Sequence, residues 1–139
     1  MSATILVIED TPANMKLTAM LLRKSGYEVL EATTASQGIG LAFRFLPELI
    51  LMDIQLPIMD GLTATKILKT NPTTAGIKIV ALTAFAMQGD KERMLAAGCD
   101  GYISKPIDYR SFLSQVRETL AAPAPRRSAY DGEKENIDR

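Results

Sequence analysis

The chain has 139 residues, with 47% apolar content, 23% charged content, and 16 Lys plus Arg balanced by 16 Asp plus Glu. That is the mix of one ordinary domain with a real core, which excludes a disordered chain, and zero net charge gives no electrostatic pull toward nucleic acid or an anionic membrane. Histidine is absent and cysteine occurs once, as Cys99, so Ser-His-Asp and Cys-His catalysis, His-ligated metals, cysteine zinc sites and an internal disulfide are excluded.

Met1-Ser2-Ala3-Thr4 runs directly into Ile5-Leu6-Val7-Ile8, with no basic segment and no cleavage pattern, and no stretch approaches the roughly 20 apolar residues of a membrane span. The expectation is a cytoplasmic protein with neither a signal peptide nor a membrane partner.

Ile5-Leu6-Val7-Ile8 reads as a strand buried on both faces. Glu9 and Asp10 follow it. Thr11-Pro12 then reads as an N-cap with proline at the first helical position, Leu17, Met20 and Leu21 share a face, and Gly26 stops the helix. Val29-Leu30 predicts a second strand and Ala35–Phe45 a second helix, ended by Pro47. Leu49-Ile50-Leu51-Met52 predicts a third strand, with Asp53 at its end, and residues 62–69 a third helix, closed by Asn71-Pro72. Ile79-Val80-Ala81-Leu82 leads into Thr83-Ala84. The fourth helix carries Met87, Met94 and Leu95, read as a core stripe, and stops at Gly98. Gly89 has two readings: a residue that weakens the start of that helix, or a loop residue before an Asp90 N-cap. Cys99 precedes Asp100-Gly101 in a turn and reads as inert packing. Gly101-Tyr102-Ile103 is a weaker strand, followed by Lys105-Pro106, and Phe112, Val116 and Leu120 at i, i+4 and i+8 mark an amphipathic last helix. From Pro123 the chain is polar and proline-broken. Residues 1–122 therefore read as one domain and 123–139 as a flexible tail in which Arg126-Arg127 is merely solvated.

Strands alternating with helices give an α/β (βα)5 fold, a doubly wound parallel sheet whose site lies beyond the carboxyl ends of the strands. Those ends carry Glu9, Asp10, Asp53, Thr83 and Lys105. Close carboxylates repel unless a cation joins them, and oxygen-only donors suit Mg²⁺. A lysine and a hydroxyl facing such an ion can hold phosphoryl oxygens, so the physical reading is a Mg²⁺-dependent phosphoryl site with a carboxylate acceptor. Each residue taken singly has a plainer role: Glu9-Asp10 capping a helix, Asp53 or Pro106 in a turn, Thr83 as strand filler, Lys105 on the surface, Tyr102 as a packing aromatic. What points to a site is their falling at the same end of one sheet, in order.

The chain resembles the receiver domain of two-component response regulators, the CheY-like, flavodoxin-like fold. The resemblance runs from about residue 4 to 121. It is carried by Ile5-Leu6-Val7-Ile8-Glu9-Asp10, Leu51-Met52-Asp53-Ile54-Gln55-Leu56-Pro57-Ile58-Met59-Asp60-Gly61, Ala81-Leu82-Thr83-Ala84 and Gly101-Tyr102-Ile103-Ser104-Lys105-Pro106. The Thr83-Ala84-Phe85-Ala86-Met87 segment and Lys105-Pro106-Ile107 are most similar to stand-alone regulators of the DivK type. The resemblance implies a five-stranded sheet of order 2-1-3-4-5 and assigns roles. Asp53 is the phosphoacceptor. Asp10, Asp53 and the Gln55 backbone carbonyl hold Mg²⁺, with Mn²⁺ as a substitute ion, and Glu9 acts through a water. Thr83 and Lys105 engage the phosphoryl group, and Tyr102 joins Thr83 as the switch. The Lys105-Pro106 bond is expected to be cis, an option particular to proline that aims the lysine inward. Pro57 and Gly61 shape the loop after Asp53. Glu9 stands where the family often has aspartate, and Gln55 and Phe85 occupy positions that vary across the family and bear on dephosphorylation rate.

The implied function is a single-domain response regulator, not an enzyme with a separate substrate. It takes its phosphoryl group from a sensor histidine kinase or a histidine phosphotransfer protein and signals to a downstream protein through the face formed by the fourth helix, fifth strand and fifth helix, as a monomer or weak homodimer. The alternative is a receiver cut from a larger regulator or hybrid kinase. An aspartate-based phosphatase of the haloacid dehalogenase type would want a second aspartate where Gln55 stands. A flavodoxin-like cofactor binder would want a Ser/Thr-Gly-rich phosphate loop where Glu9-Asp10 stands.

Overall fold

A computed structural model describes residues 2–84 and 87–123; Phe85 and the segment 124–139, with Arg126-Arg127, lie outside the described residues. Five strands and five helices alternate: β1 (Thr4–Ile8), α1 (Pro12–Lys24), β2 (Glu28–Ala32), α2 (Ala35–Phe45), β3 (Leu49–Asp53), α3 (Gly61–Thr70), β4 (Lys78–Thr83), α4 (Gln88–Ala97), β5 (Gly101–Ser104) and α5 (Tyr109–Ala121). The strands form one parallel sheet in the order β2-β1-β3-β4-β5, the expected doubly wound architecture.

Strand side chains alternate between faces, so each buried strand supplies two cores. Leu6, Ile8, Ile50, Met52 and Ile79 pack with Ala35, Ala42, Ala64 and Leu68 under α2 and α3. Ile5, Val7, Leu49, Leu51, Val80 and Leu82 pack with Met15, Leu22, Phe112 and Val116 under α1 and α5. Each fully buried Leu, Ile or Phe contributes roughly 1.5–3 kcal/mol. The smaller cluster of Ala81, Met94 and Cys99 lies beneath α4, with Cys99 buried as expected.

Two expected helix faces are corrected. In α1 the buried line is Met15, Thr18, Ala19 and Leu22, while Leu17 and Met20 are 40% and 48% exposed. Met15 and Leu22 of that line enter the core beneath α1, and Leu17 and Met20 lie off it. In α4, Met94 is buried but Leu95 is 67% exposed, since consecutive helical residues are about 100° apart. Met87 precedes the first helical turn as N-cap and is 75% exposed. Gly89 lies inside α4, which removes the reading of a loop before an Asp90 cap. No helix among the described residues is long and apolar enough to cross a membrane.

Candidate functional site

The strand register assembles the site before any side chain is considered. Ile8 pairs with Met52, so Glu9 stands level with Asp53; Asp53 pairs with Leu82, one residue before Thr83; and Thr83 pairs with Ser104, one residue before Lys105. Backbone bonds continue this order past the strand ends, from the Glu9 N–H to the Ala32 carbonyl at 2.9 Å and from the Lys105 N–H to the Thr83 carbonyl at 2.7 Å. After Asp53 the loop doubles back until the Gly61 N–H donates to the Ile54 carbonyl at 2.9 Å. A Cβ on Gly61 would overlap the Asp53 carbonyl oxygen, so only glycine allows α3 to start this close to Asp53. Asp60 caps α3 through its Oδ1, which accepts from the Thr63 N–H at 2.8 Å.

Glu9 and Asp53 are 1% and 4% exposed, whereas Asp10 is exposed. Ligand oxygens of the three lie within 4.8 Å of one another. Lys105 Nζ is 3.0 Å from Glu9 Oε1 and 3.3 Å from Asp53 Oδ2, and the Lys105–Pro106 bond is cis. The Thr11 N–H donates to Glu9 Oε2 at 3.2 Å and the Gln55 N–H to Asp53 Oδ1 at 3.0 Å. Glu9 thus also ties down the start of α1, where Thr11 is the N-cap without a side-chain capping bond. Thr83 is buried beside Asp53's strand. Tyr102 is 37% exposed on the α4–β5 surface, with Lys91 Nζ 5.4 Å from its ring centroid, a cation–π contact.

One ammonium does not balance these carboxylates. Burial pushes the Asp53 carboxyl up to about 7, and its hydrogen bond and repulsion with Glu9 add to this. Burial also pushes Glu9 up, but hydrogen bonds from Asp53, Lys105 and the Thr11 N–H prevail and hold it below its ordinary value. Burial would lower Lys105, yet Glu9 and Asp53 hold it above its ordinary value. Around neutral pH the Asp53 carboxyl is therefore held toward its protonated form. An all-oxygen, negatively charged cluster of this size fits a hard divalent cation, which would displace that proton.

Two openings border the site. A groove of about 610 Å³ runs from Glu9 and Asp10 along Met15, Ala19 and Met20 of α1. A cleft of about 220 Å³ lies between Gln55, Asp60, Thr83 and Arg93. Sequence reasoning missed Asp60 and Arg93 as neighbours of the site. Asp60 precedes a helical run with the spacing of an N-cap, but nothing local in the sequence brings Arg93 of α4 to Thr83. It also passed over Ile58, which has a φ of 69° in the loop after Asp53.

The sequence matches the profile described as response regulator receiver domain over residues 5–117. It is 42% identical over 120 residues to the polar-differentiation response regulator DivK of Brucella ovis, covering 86% of this chain and 98% of DivK. The fold is similar to the receiver domain of a sensor histidine kinase from Pseudomonas aeruginosa PAO1, a structure with magnesium coordinated in its active site cleft (33% identity, TM-score 0.81, covering 88% of this chain and 100% of that one). At 22% identity, the chemotaxis protein CheY4 of Vibrio cholerae shares the fold, with a TM-score of 0.82 over 86% of this chain and 99% of its own. With its five-stranded 2-1-3-4-5 sheet and an acidic cluster facing one lysine, this chain belongs to the response regulator receiver family of two-component signalling.

Proposed function

We propose that this protein is a single-domain phosphoacceptor of a two-component phosphorelay in the cytoplasm. The observation that carries this reading is the recessed Asp53, 3.3 Å from Lys105 and clustered with Glu9 and Asp10. Asp10, Asp53 and the Gln55 carbonyl would hold Mg²⁺, with Glu9 outside them. When bound, the ion neutralises the carboxylates and the charge on the transferring phosphoryl group. Mn²⁺ shares the same hard-oxygen preference.

In the transfer, an Asp53 carboxylate oxygen attacks phosphorus in line. A P–O bond forms while the P–N bond of the donor's phosphohistidine breaks, and the electron pair leaves with the imidazole, which takes a proton from solvent. That phosphohistidine belongs to a histidine kinase or histidine phosphotransfer protein, because this chain has no histidine to supply it. Lys105 moves from its carboxylate partners to the phosphoryl oxygens, and the Thr83 hydroxyl turns toward the same group. Tyr102 then leaves its half-exposed position under Lys91, and the α4–β5–α5 face presented to a downstream protein changes. A nearly complete switch requires about 5.5 kcal/mol of differential stabilisation between the two states. The chain promotes its own phosphorylation and hydrolysis and turns over no separate substrate.

The test is incubation with acetyl phosphate, with and without Mg²⁺, read by intact mass. Wild type gains one phosphoryl group only with Mg²⁺, and Asp53→Asn gains none. An adduct that persists in folded Asp53→Asn would overturn the assignment.

A further inference from the structure

Resting on the phosphoacceptor reading, we propose that Ile58 is a docking anchor for the protein that carries the phosphohistidine, and that it sets the efficiency of transfer to Asp53. Ile58 is 105% exposed and has a φ of 69°. The Met59 N–H donates to the Pro57 carbonyl at 2.8 Å, closing a three-residue γ-turn around it. A γ-turn with positive φ is strained, and a β-branched side chain is among the worst occupants of that backbone region. Glycine, asparagine or aspartate would relieve the backbone and suit the solvent better. Ile58 is therefore unfavourable both for the turn and for water, and it gains no packing from its own chain. Leu46, the other non-glycine residue at positive φ among the described residues, differs: it is not β-branched, closes α2 through its N–H to the Ala42 carbonyl, and has half its surface covered.

The position of Ile58 identifies what would cover it. Asp53 is 4% exposed, five residues earlier at the end of β3. A protein donor must bring its phosphorus to about 3–3.5 Å from that recessed oxygen. Its surface must then lie against the loop that follows Asp53, where Pro57, beside Ile58, is also exposed. A small phosphodonor reaches Asp53 without touching that loop. The chemistry expected of the partner is an apolar depression beside its phosphohistidine.

The experiment compares wild type, Ile58→Asn, Ile58→Gly and Ile58→Val with Ile67→Gln, which alters a partly exposed isoleucine on α3. The probes are acetyl phosphate and the ATP-phosphorylated histidine kinases and phosphotransfer proteins of the source organism, of which the fastest donor to wild type is used. Acetyl phosphate should label every variant at rates within about twofold of wild type, with thermal midpoints unchanged or raised for Asn and Gly. Transfer from the protein donor should fall roughly 10- to 100-fold in kcat/KM for Asn and Gly, the range set by losing one buried isoleucine contact, while Val and Ile67→Gln stay near wild type. Equal protein-donor rates for all variants would overturn the proposal, and so would labelling of wild type by acetyl phosphate but by no protein donor. Labelling by neither source would overturn the phosphoacceptor reading beneath it.

Discussion

Each end of the sheet holds a lysine, Lys78 buried and Lys105 partly buried, and the two have opposite surroundings. At the start of β4, Lys78 is 8% exposed and its Nζ donates to the backbone carbonyls of Thr119, Leu120 and Ala122, closing the end of α5. Nearby, Lys69 is matched by Asp100 at 2.8 Å; Lys69 also donates to the Ile77 carbonyl, and Asp100 accepts from the Ile79 N–H. That end is satisfied group by group. At the other end Lys105 faces both Glu9 and Asp53 with Asp10 beside them, and negative charge is left over. One end stabilises the fold, and the other holds uncompensated negative charge at the candidate site, at a cost in stability.

The sharpest way to break this contrast is to replace each lysine with methionine and follow urea unfolding. Lys78→Met should lose about 2–4 kcal/mol, because three carbonyls lose their donor, and the loss should be the same with or without Mg²⁺ and from pH 5 to 8. A loss that Mg²⁺ restores would contradict the division between the two ends.

Asp53→Asn should instead stabilise the protein in Mg²⁺-free buffer, by about 1–3 kcal/mol at pH 8. The sign follows from the folded carboxyl's rise from 3.8 to about 7. In that window the folded state binds more protons than the unfolded one, so wild-type stability falls as pH rises, and the advantage of asparagine shrinks toward pH 4. Chemical denaturation at several pH values checks this, and a gain that is flat with pH would refute the electrostatic cause. Lys105→Met should cost only about 1–2 kcal/mol at pH 8, since Asp53 can take up a proton when the ammonium is lost, and either Mg²⁺ or a shift to pH 5 should recover most of it.

The smallest effect concerns Cys99. Burial pushes its thiol up to about 11, so about one part in a thousand is thiolate at pH 8. An aromatic disulfide reagent should leave the native protein unmodified over minutes and react fully in urea. Rapid labelling of the folded state would show that the layer under α4 opens.

Much of this was legible because the signals are local. Continuous apolar runs such as Leu49-Ile50-Leu51-Met52 mark strands buried on both faces, and Pro12, Gly26, Pro47 and Gly98 punctuate the helices between them. Once the strands alternate with helices, parallel topology places Glu9, Asp10, Asp53, Thr83 and Lys105 at one edge, so the membership of the candidate site follows from strand ends alone. The tertiary structure decided what depends on neighbours far apart in sequence. Leu17 and Met20 face out because Met15, Ala19 and Leu22 lie on the stripe of α1 that is buried, and Leu95 faces out because Met94, one residue before it, is the one packed with Ala81. Lys78 is structural because α5, some 40 residues later, ends beside it. The raised Asp53 carboxyl follows from its burial and the nearness of Glu9, neither of which a residue's identity reveals. Sequence carries the chemical groups and their order along the chain. Folding sets their desolvation and their partners, and the Coulomb energy that makes a site depends on both.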